Sequence, residues 1–296
     1  MSSPDLVPVT PRRGGGELRT RVILSTLMLT TIGVIFWLDV TTSAAGRLSA
    51  ALLGVLGVAG VHEFTVMFKR AGFPVADVSL ILASVALAAS AFAFRWGSVD
   101  RELYPLVLVT FALLFPLALR SLTRQRMIRG LEEQGATLLG LISIAWPMYL
   151  AQGLVLRHPE AALYVVLVCK GGDIGGYLVG SFLGKHKLIP HISAGKTVEG
   201  ALGSLAASCA LAMVLPPLIL DLREPRLELG LTQAFGVGII LNLTTQIGDL
   251  VESLLKRRCG VKDSSALLPA HGGVLDLIDS LLYSFPAFLM IVILLT

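Results

Sequence analysis

The chain is organised around the stretch Asn242–Asp279, NLTTQIGDLVESLLKRRCGVKDSSALLPAHGGVLDLID. It begins as an apolar helix, breaks into the basic loop KRRCGVKD and then enters a second apolar helix. Asp249 and Glu252 are three residues apart, as are Asp276 and Asp279, so each pair projects from one helical face. If the loop brings the two faces together, they form a carboxylate cage, and hard divalent cations prefer carboxylate oxygen.

Basic side chains accompany the acidic positions, where a polyphosphate would need positive charge: Lys256, Arg257, Arg258, Lys262 and His271. Asp249 precedes Lys256 by seven residues, which is about 10 Å along a helix. We therefore expect the acidic groups near a membrane face, within reach of a water-soluble nucleotide. Transporters usually bind their substrates near the bilayer midplane, so this depth favours an interfacial enzyme.

The composition indicates an all-α, polytopic integral membrane protein. The chain has 296 residues, of which 54% are hydrophobic and 15% charged, with a mean hydropathy of +0.79. A soluble domain has about a quarter of its residues charged. The apolar runs are continuous, so they predict membrane helices and not the alternating strands of a barrel. The net charge of +4 suits a protein lying against anionic lipid and gives no argument for nucleic acid.

Hydropathy predicts about nine transmembrane helices: Val22–Leu38, Leu48–Phe68, Val78–Phe94, Leu103–Leu119, Ala136–Leu156, Ala161–Leu183, Ala201–Leu220, Gly230–Leu255 and Val274–Leu295. With the N-terminus cytoplasmic, 17 of the 24 Lys and Arg residues lie in inner segments, six lie in outer segments and only Lys170 lies within a span. This asymmetry is the one that the positive-inside rule predicts. A cleaved signal peptide is the competing interpretation of the first span.

Three regions follow from this pattern. Residues 1–21 form a cytoplasmic tail, residues 22–156 an N-terminal transmembrane scaffold, and residues 157–296 a C-terminal catalytic region, because the polar intramembrane residues are concentrated after residue 160. The exception is His62-Glu63, near the inner end of the second span. Snorkelling or helix packing is the favoured interpretation of that pair.

Two further segments could carry chemistry. Lys170 and Asp173 are three residues apart in the sixth span, where they either neutralise each other or place Asp173 in a cytidine or phosphate pocket. The loop 184–200 is rich in Lys, Ser, Thr and Gly, which suits phosphate binding. Its Gly195-Lys196-Thr197 imitates the end of a P-loop. However, Pro190 stands where the first glycine belongs, so a P-loop is rejected.

The run S-L-L-K-R-x4-K-D-x5-P-x-H-G-G-x2-D-x2-D over residues 253–279 resembles the signature of phosphatidate cytidylyltransferases, the CDP-diacylglycerol synthases. The blocks GKHKL at 184–188 and KTxEG at 196–200 resemble an upstream block of that family. The resemblance is strong from about Lys170 to the C-terminus and is general, in hydropathy only, before it. Two positions depart from the family pattern: Leu277 stands where the family usually has Arg, and 193–197 reads SAGKT.

The resemblance implies cytidylyl transfer from CTP to phosphatidate, giving CDP-diacylglycerol and pyrophosphate. It implies a Mg²⁺ site at Asp249, Asp276 and Asp279, with a second cation such as K⁺ left open. These three and Lys256 and His271 are the predicted catalytic residues. The predicted substrate-binding residues are Asp173, Lys196, Thr197, Ser253, Arg257, Lys262, Asp263, Gly272 and Gly273. Glu252 and Ser253 are candidates for supporting the metal ligands, and Asp263 could instead orient a neighbouring lysine.

The resemblance also implies the setting of the enzyme. Phosphatidate would enter from the inner leaflet of the plasma membrane, among the membrane lipids, towards an active site that faces the cytoplasm. A homodimer is implied, and no nucleic-acid partner is expected. Two alternatives remain at this point: a CTP-dependent polyprenol or lipid kinase, which would transfer the γ-phosphoryl group, and a cation-coupled membrane transporter.

Overall fold

The computed structural model describes residues 30–31, 33–35, 37–39, 42, 46–93, 99–122, 127–220, 229–267 and 272–295. The predicted tail, most of the first predicted span and His271 lie outside these residues. The helices are α1 (Arg47–Arg70), α2 (Asp77–Ala93), α3 (Val99–Ser121), α4 (Met127–Gly140), α5 (Trp146–Arg157), α6 (Pro159–Leu183), α7 (Val198–Val214), α8 (Pro216–Ile219), α9 (Leu231–Arg258) and α10 (Val274–Leu295). A π-helical turn, Leu141–Ala145, joins α4 to α5.

Six helices of the described chain are long and apolar enough to cross a membrane: Arg47–Arg70, Leu103–Ser121, Met127–Arg157, Pro159–Leu183, Leu231–Arg258 and Val274–Leu294. The predicted class, an all-α membrane protein, is therefore confirmed. Two more predicted spans coincide with apolar helices of 17 residues, α2 and α7. A helix of that length rises about 26 Å, less than the roughly 30 Å of a bilayer core. The count of nine spans stays a prediction.

Helix α1 is the centre of the N-terminal region and packs against α2, α5 and α10. It presents Gly54, Gly57 and Gly60 at three-residue intervals, which lets its neighbours approach closely. A Cβ atom at Gly60 would lie 3.2 Å from Cδ1 of Ile278 on α10. The turn of α1 that follows these glycines therefore lies next to the beginning of α10.

The C-terminal region is built on the close pairing of α6 with α7, onto which α9 and then α10 pack. Glycines permit this approach: a Cβ atom at Gly176 would lie 3.0 Å from Cβ of Ser204. Asn242 on α9 donates hydrogen bonds from Nδ2 to Oγ of Ser204 at 2.7 Å and to Oγ of Ser208 at 3.1 Å on α7. These bonds are buried, so they fix the rotation of α9 about its own axis.

A β-hairpin, which the sequence analysis interpreted as a loop, connects α6 to α7. Strand β1 (Lys187–Ile189) pairs antiparallel with β2 (Ser193–Thr197), and the register is irregular between them. The sequence SAGKT contains no β-branched or aromatic alternation, so its strand propensity is low. It is a strand because it pairs with β1, and the strand propensity of its own residues does not predict that pairing.

Candidate active site

Three carboxylates from α9 and α10 converge. Asp249, Glu252 and Asp279 each present an oxygen that lies within 4.8 Å of those of the other two. The helices can approach because Gly248 faces α10, where a Cβ atom would lie 2.6 Å from the carbonyl oxygen of Asp279. We call these three residues the carboxylate cluster.

The carboxylate cluster fits a divalent cation. Glu252 is only 3% exposed, and its Oε1 has no hydrogen-bond partner among the described residues. Buried anions this close repel one another unless a positive charge lies between them. Oxygen donors from three carboxylates are also the set that hard cations select.

Lys256 connects the cluster to Asp276. Its ammonium group forms ion pairs with Glu252 and with Oδ1 of Asp276, the second at 2.5 Å. Oδ2 of Asp276 accepts hydrogen bonds from N and Oγ of Ser264, at 2.8 and 2.7 Å, and from N of Gly273 at 2.7 Å. Both oxygens of Asp276 therefore accept from donors, and Lys256 links its carboxylate to the cluster.

The geometric cluster differs in one member from the predicted metal set Asp249, Asp276 and Asp279. Glu252 completes the cluster because it lies one turn after Asp249 on the same face of α9. Asp276 occupies the first turn of α10, where unpaired backbone N–H groups attract its carboxylate. Asp279 lies one turn further on and points to α9.

Lys196 reaches the cluster from the hairpin. Its Nζ lies 2.6 Å from Oδ2 of Asp249. The next residue, Thr197, is the N-cap of α7, and its Oγ1 accepts a hydrogen bond from N of Gly200 at 3.1 Å. The cap and the hairpin together fix the point from which Lys196 extends.

Glu199 lies at the base of the hairpin, in the first turn of α7 and before the predicted apolar span. Its carboxylate accepts hydrogen bonds from N of Lys185 at 3.1 Å and from Nδ1 of His186 at 2.6 Å. The hydrogen bond from His186 lowers the pKa of the Glu199 carboxyl to about 2. Glu199 is therefore charged at neutral pH and holds the first residues of the hairpin against α7.

A cavity of about 490 Å³ opens beside the cluster, a volume typical of small-molecule sites. It lies between α6, the hairpin, α7 and α9, and its lining residues are Asp173, Gly176, Tyr177, Gly180, Ser181, Leu188, Gly195, Lys196, Thr197, Gly200, Ala201, Ser204, Gln246 and Asp249. Asp249 belongs both to the cavity wall and to the carboxylate cluster. A ligand in the cavity would therefore contact the cluster.

The ion pair expected of Lys170 and Asp173 is present, whereas contact of Asp173 with cytidine or phosphate stays a prediction. Lys170 Nζ lies 3.8 Å from Oδ2 of Asp173, which forms an ion pair, and Asp173 also lines the cavity. The same ammonium group donates to Oγ of Ser280 on α10 at 2.7 Å. Lys170 therefore ties α6 to α10 beside the site.

The remaining predicted residues lie around this centre. Ser253 Oγ is 3.4 Å from Oδ1 of Asp249, so it supports a cluster member. Arg257 is exposed and donates to the carbonyl oxygens of Val261 and, in the hairpin turn, Ile192. Lys262 and Asp263 are exposed in the loop that follows α9.

The glycine pair before α10 is constrained by its neighbours. Gly272 has φ +89°, a conformation that favours glycine. A Cβ atom there would lie 2.6 Å from Oδ2 of Asp276. At Gly273 a Cβ atom would collide with Oγ of Ser264 and Oε2 of Glu63. The pair is thus required by the packing around the start of α10.

Of the two interpretations given to Glu63, the structure contradicts snorkelling and supports helix packing, with partners that the sequence did not reveal. Glu63 is 6% exposed, so its carboxylate does not snorkel, and it accepts hydrogen bonds from residues of the loop after α9 and of α10. The available signal was an ionisable residue within an apolar span, which is costly unless it is partnered. Its partners are about 200 residues away in the chain, so local patterns could not reveal them.

Comparison with known proteins identifies the family of the chain. A family model described as "Cytidylyltransferase family" matches residues 19–295. A phosphatidate cytidylyltransferase of Staphylococcus aureus (strain COL) is 44% identical over 124 residues, 42% of this chain and 45% of the relative. A protein of Escherichia coli (strain K12) described as "Uncharacterized protein YnbB" is 34% identical over 152 residues, 51% of this chain and 49% of the relative.

The alignments with these two relatives thus span about half the length of each. A phosphatidate cytidylyltransferase of Mycobacterium bovis is 26% identical over 284 residues, which is 92% of this chain and 87% of the relative. The family model covers nearly the whole chain, including α1, the hairpin and the carboxylate cluster. The chain therefore belongs to the cytidylyltransferase family.

Proposed function

We propose that this protein transfers the cytidylyl group of CTP to phosphatidate, forming CDP-diacylglycerol and releasing pyrophosphate. Family membership and the descriptions of two relatives support the reaction type. The observation that carries the proposal is the position of Asp249, shared between the cavity and the carboxylate cluster. A nucleotide in the cavity would have its phosphates beside a cation-binding group of acids.

The charge balance of the site supports a cation and a polyphosphate as ligands. Five carboxylates lie at the site, those of Asp173, Asp249, Glu252, Asp276 and Asp279, and three ammonium groups, those of Lys170, Lys196 and Lys256, form ion pairs with the first four of them. The formal excess is two negative charges, which one divalent cation would neutralise. With that charge balanced, Lys196 becomes available to a phosphate group without leaving Asp249 uncompensated.

Mg²⁺ is the cation that we propose, held by Asp249, Glu252 and Asp279 with Asp276 at the margin of the site. When bound, it would neutralise phosphate charge and polarise the α-phosphate of CTP. The protein residues would place the two anionic substrates together. Lys196 would bind the triphosphate from the hairpin side, and Lys256 would orient Glu252 and Asp276. Arg257, Lys262 and His271 are proposed to bind the phosphatidate phosphate.

The chemical step needs no nucleophile from the protein. A phosphatidate phosphate oxygen attacks the α-phosphorus of CTP, forming a new P–O bond. The bond from the α-phosphorus to the bridging oxygen of the β-phosphate breaks in line, and its electron pair leaves with pyrophosphate. The contributions of the protein are orientation and charge stabilisation, as in other transfers at phosphorus.

We further propose the orientation implied by the distribution of basic residues. The C-terminal end of α1 carries Lys69 and Arg70, and the C-terminal end of α9 carries Lys256, Arg257 and Arg258. These ends would lie at the cytoplasmic face of the plasma membrane, with the N-terminus inside, nine spans and phosphatidate entering from the inner leaflet. A homodimer is proposed as the assembly. Crosslinking in native membranes would test the dimer, and labelling of single introduced cysteines would test the orientation.

The decisive experiment uses CTP labelled in the α- or γ-phosphate. Purified protein in phosphatidate-containing vesicles is expected to move α-label, and no γ-label, into the lipid in the presence of Mg²⁺. Transfer of γ-label would instead identify a lipid kinase. Ion or solute flux without nucleotide, together with no labelled lipid, would identify a transporter. The Asp279→Asn variant is the matched control for background transfer.

A further inference from the structure

Glu63 on α1 accepts four hydrogen bonds from a region about 200 residues further along the chain. Oε1 accepts from Oγ of Ser265 at 2.7 Å and from N of Val274 at 3.0 Å. Oε2 accepts from Oγ of Ser264 at 2.9 Å and from N of Leu275 at 2.8 Å. Val274 and Leu275 are the first residues of α10, so their N–H groups have no acceptor within the helix. Glu63 thus supplies a cap that usually comes from the residue just before a helix.

A second carboxylate completes the same helix end. Asp276 accepts from N of Gly273 at 2.7 Å and from N of Ser264 at 2.8 Å. Oγ of Ser264 lies between the two acids, 2.9 Å from Glu63 and 2.7 Å from Asp276. Because this hydroxyl has one hydrogen, it donates to one of the two carboxylates at a time, and the two acids therefore share it as a common partner.

This hydrogen-bonded chain leads into the proposed active site. Oδ1 of Asp276 forms an ion pair with Lys256, which also pairs with Glu252 of the carboxylate cluster. Contacts therefore run without interruption from Glu63 through Ser264, Asp276 and Lys256 to Glu252. Glu63 itself does not line the cavity and is not in the carboxylate cluster.

The packing around the Glu63 carboxylate requires a glycine at position 273. A Cβ atom at Gly273 would collide with Oε2 of Glu63 and with Oγ of Ser264. One turn earlier on α1, Gly60 permits the approach of Ile278 on α10. The second glycine of the Gly272-Gly273 pair is therefore needed to make room for Glu63, in addition to any approach to phosphate.

From these contacts we infer that Glu63 is a positioning residue: it holds the loop Ser264-Ser265 and the first turn of α10 so that Asp276 and Lys256 are oriented for the reaction. Its catalytic consequence rests on the proposed function, whereas its hold on α10 does not. Supporting groups of this kind change metal affinity or activity by about 10- to 100-fold when they are removed. The N-terminal region is then part of the active-site machinery and not only its scaffold.

The test compares Glu63→Ala and Glu63→Gln with a matched control, Asp39→Asn, in the purified full-length protein. Asp39 caps the other end of α1, accepting hydrogen bonds from N of Leu48 at 3.2 Å and N of Ser49 at 2.8 Å. The first readout is amide hydrogen exchange, measured by mass spectrometry without substrate or metal. Glu63→Ala is expected to accelerate exchange in residues 264–276 at least tenfold, and Asp39→Asn to leave that segment unchanged.

The second readout is CDP-lipid formation. Glu63→Ala is expected to lower kcat by about 10- to 100-fold and to leave KM for CTP within about twofold, because Glu63 does not line the cavity. Glu63→Gln is expected to restore part of both exchange protection and kcat, because its amide oxygen can accept from one of the two α10 N–H groups. Asp39→Asn is expected to leave kcat unchanged.

A third variant keeps the inference testable if Glu63→Ala does not fold. Ser265→Ala removes a donor to Glu63 while keeping the carboxylate, and its effect on kcat should largely disappear in a Glu63→Gln background, since the two residues act as one unit. Unchanged exchange in residues 264–276 of a folded Glu63 variant would overturn the inference. Altered exchange with wild-type kcat would reduce Glu63 to a structural cap. Failure of the wild-type protein to form CDP-lipid would instead contradict the proposed function. The exchange data would still test whether Glu63 holds the first turn of α10.

Discussion

The two halves of the described chain bury polar groups in different ways. In the N-terminal helices, Gln152 donates to the carbonyl oxygens of Ala50 and Ala88, and Ser84 donates to that of Ile81. In the C-terminal helices, three carboxylates meet and outnumber the ammonium groups paired with them. Neutral groups bound to backbone stabilise a membrane helix bundle, whereas unbalanced acids destabilise it unless a ligand compensates them. The difference supports the predicted division into an N-terminal scaffold and a C-terminal catalytic region.

Glu63 is the exception that joins the halves. It lies on an N-terminal helix, but all of its hydrogen bonds reach the C-terminal half. Comparing substitutions at the proposed site with substitutions elsewhere therefore measures where function resides.

The largest effect is expected from Asp279→Asn, which removes one charge from the carboxylate cluster without changing its shape. Activity should fall at least about 100-fold, because charge that stabilises the transition state is lost. The same change at Asp77, which forms an ion pair with Lys69 at the start of α2, should leave activity intact. The measurement is the rate of α-label transfer by the two purified variants. Wild-type turnover in folded Asp279→Asn would remove Asp279 from the proposed site. Wild-type turnover in folded Asp276→Asn would likewise remove Asp276.

Glu252→Gln is expected to lower activity by about 10- to 100-fold and to raise the melting temperature of the metal-free protein. The physical reason is that the buried acid repels its neighbours when no cation is bound. Thermal unfolding in EDTA and with added Mg²⁺ measures both effects. Glu160→Gln is the matched control, since Glu160 is also buried with an oxygen that has no hydrogen-bond partner in the described structure. A melting temperature that falls in parallel with activity would make Glu252 a structural residue.

Lys196→Ala is expected to raise KM for CTP about tenfold, with a smaller change in kcat. A tenfold change corresponds to a loss of about 1.4 kcal/mol of binding free energy. Lys196 lines the cavity and forms an ion pair with Asp249, so its ammonium group can form an ion pair with a phosphate of a ligand in the cavity. The control is Lys69→Ala, which breaks an ion pair of the N-terminal half. Steady-state kinetics with both substrates measures the effect, and unchanged KM values would argue against a binding role.

The smallest effect on activity is expected from Gln152→Leu in the scaffold. The variant loses hydrogen bonds to α1 and α2, which should destabilise the protein by about 0.6 kcal/mol, the average for such bonds between membrane helices. Denaturant unfolding in detergent measures the loss, and kcat should stay at the wild-type value. A tenfold loss of kcat would show that the scaffold transmits more than Glu63 does.

The sequence by itself determined the all-α membrane class and the acidic and basic residues that the proposed site uses. Continuous apolar runs must form helices in lipid because every backbone group needs an internal partner. The spacing of Asp249 with Glu252 and of Asp276 with Asp279 placed each pair on one helical face, since 3.6 residues make a turn. The signature motif around residues 253–279 pointed to the family that the comparison confirmed.

Only the tertiary structure decided which of these groups meet. Glu252 joins Asp249 and Asp279 because Gly248 lets α10 approach. Asp276 is instead held by N of Gly273, just before its own helix, and by Ser264 and Lys256. The hairpin that carries Lys196 exists through strand pairing, and Glu63 finds its partners about 200 residues away. Such contacts depend on how helices pack against one another, and spacing along the chain contains no information about distances between helices.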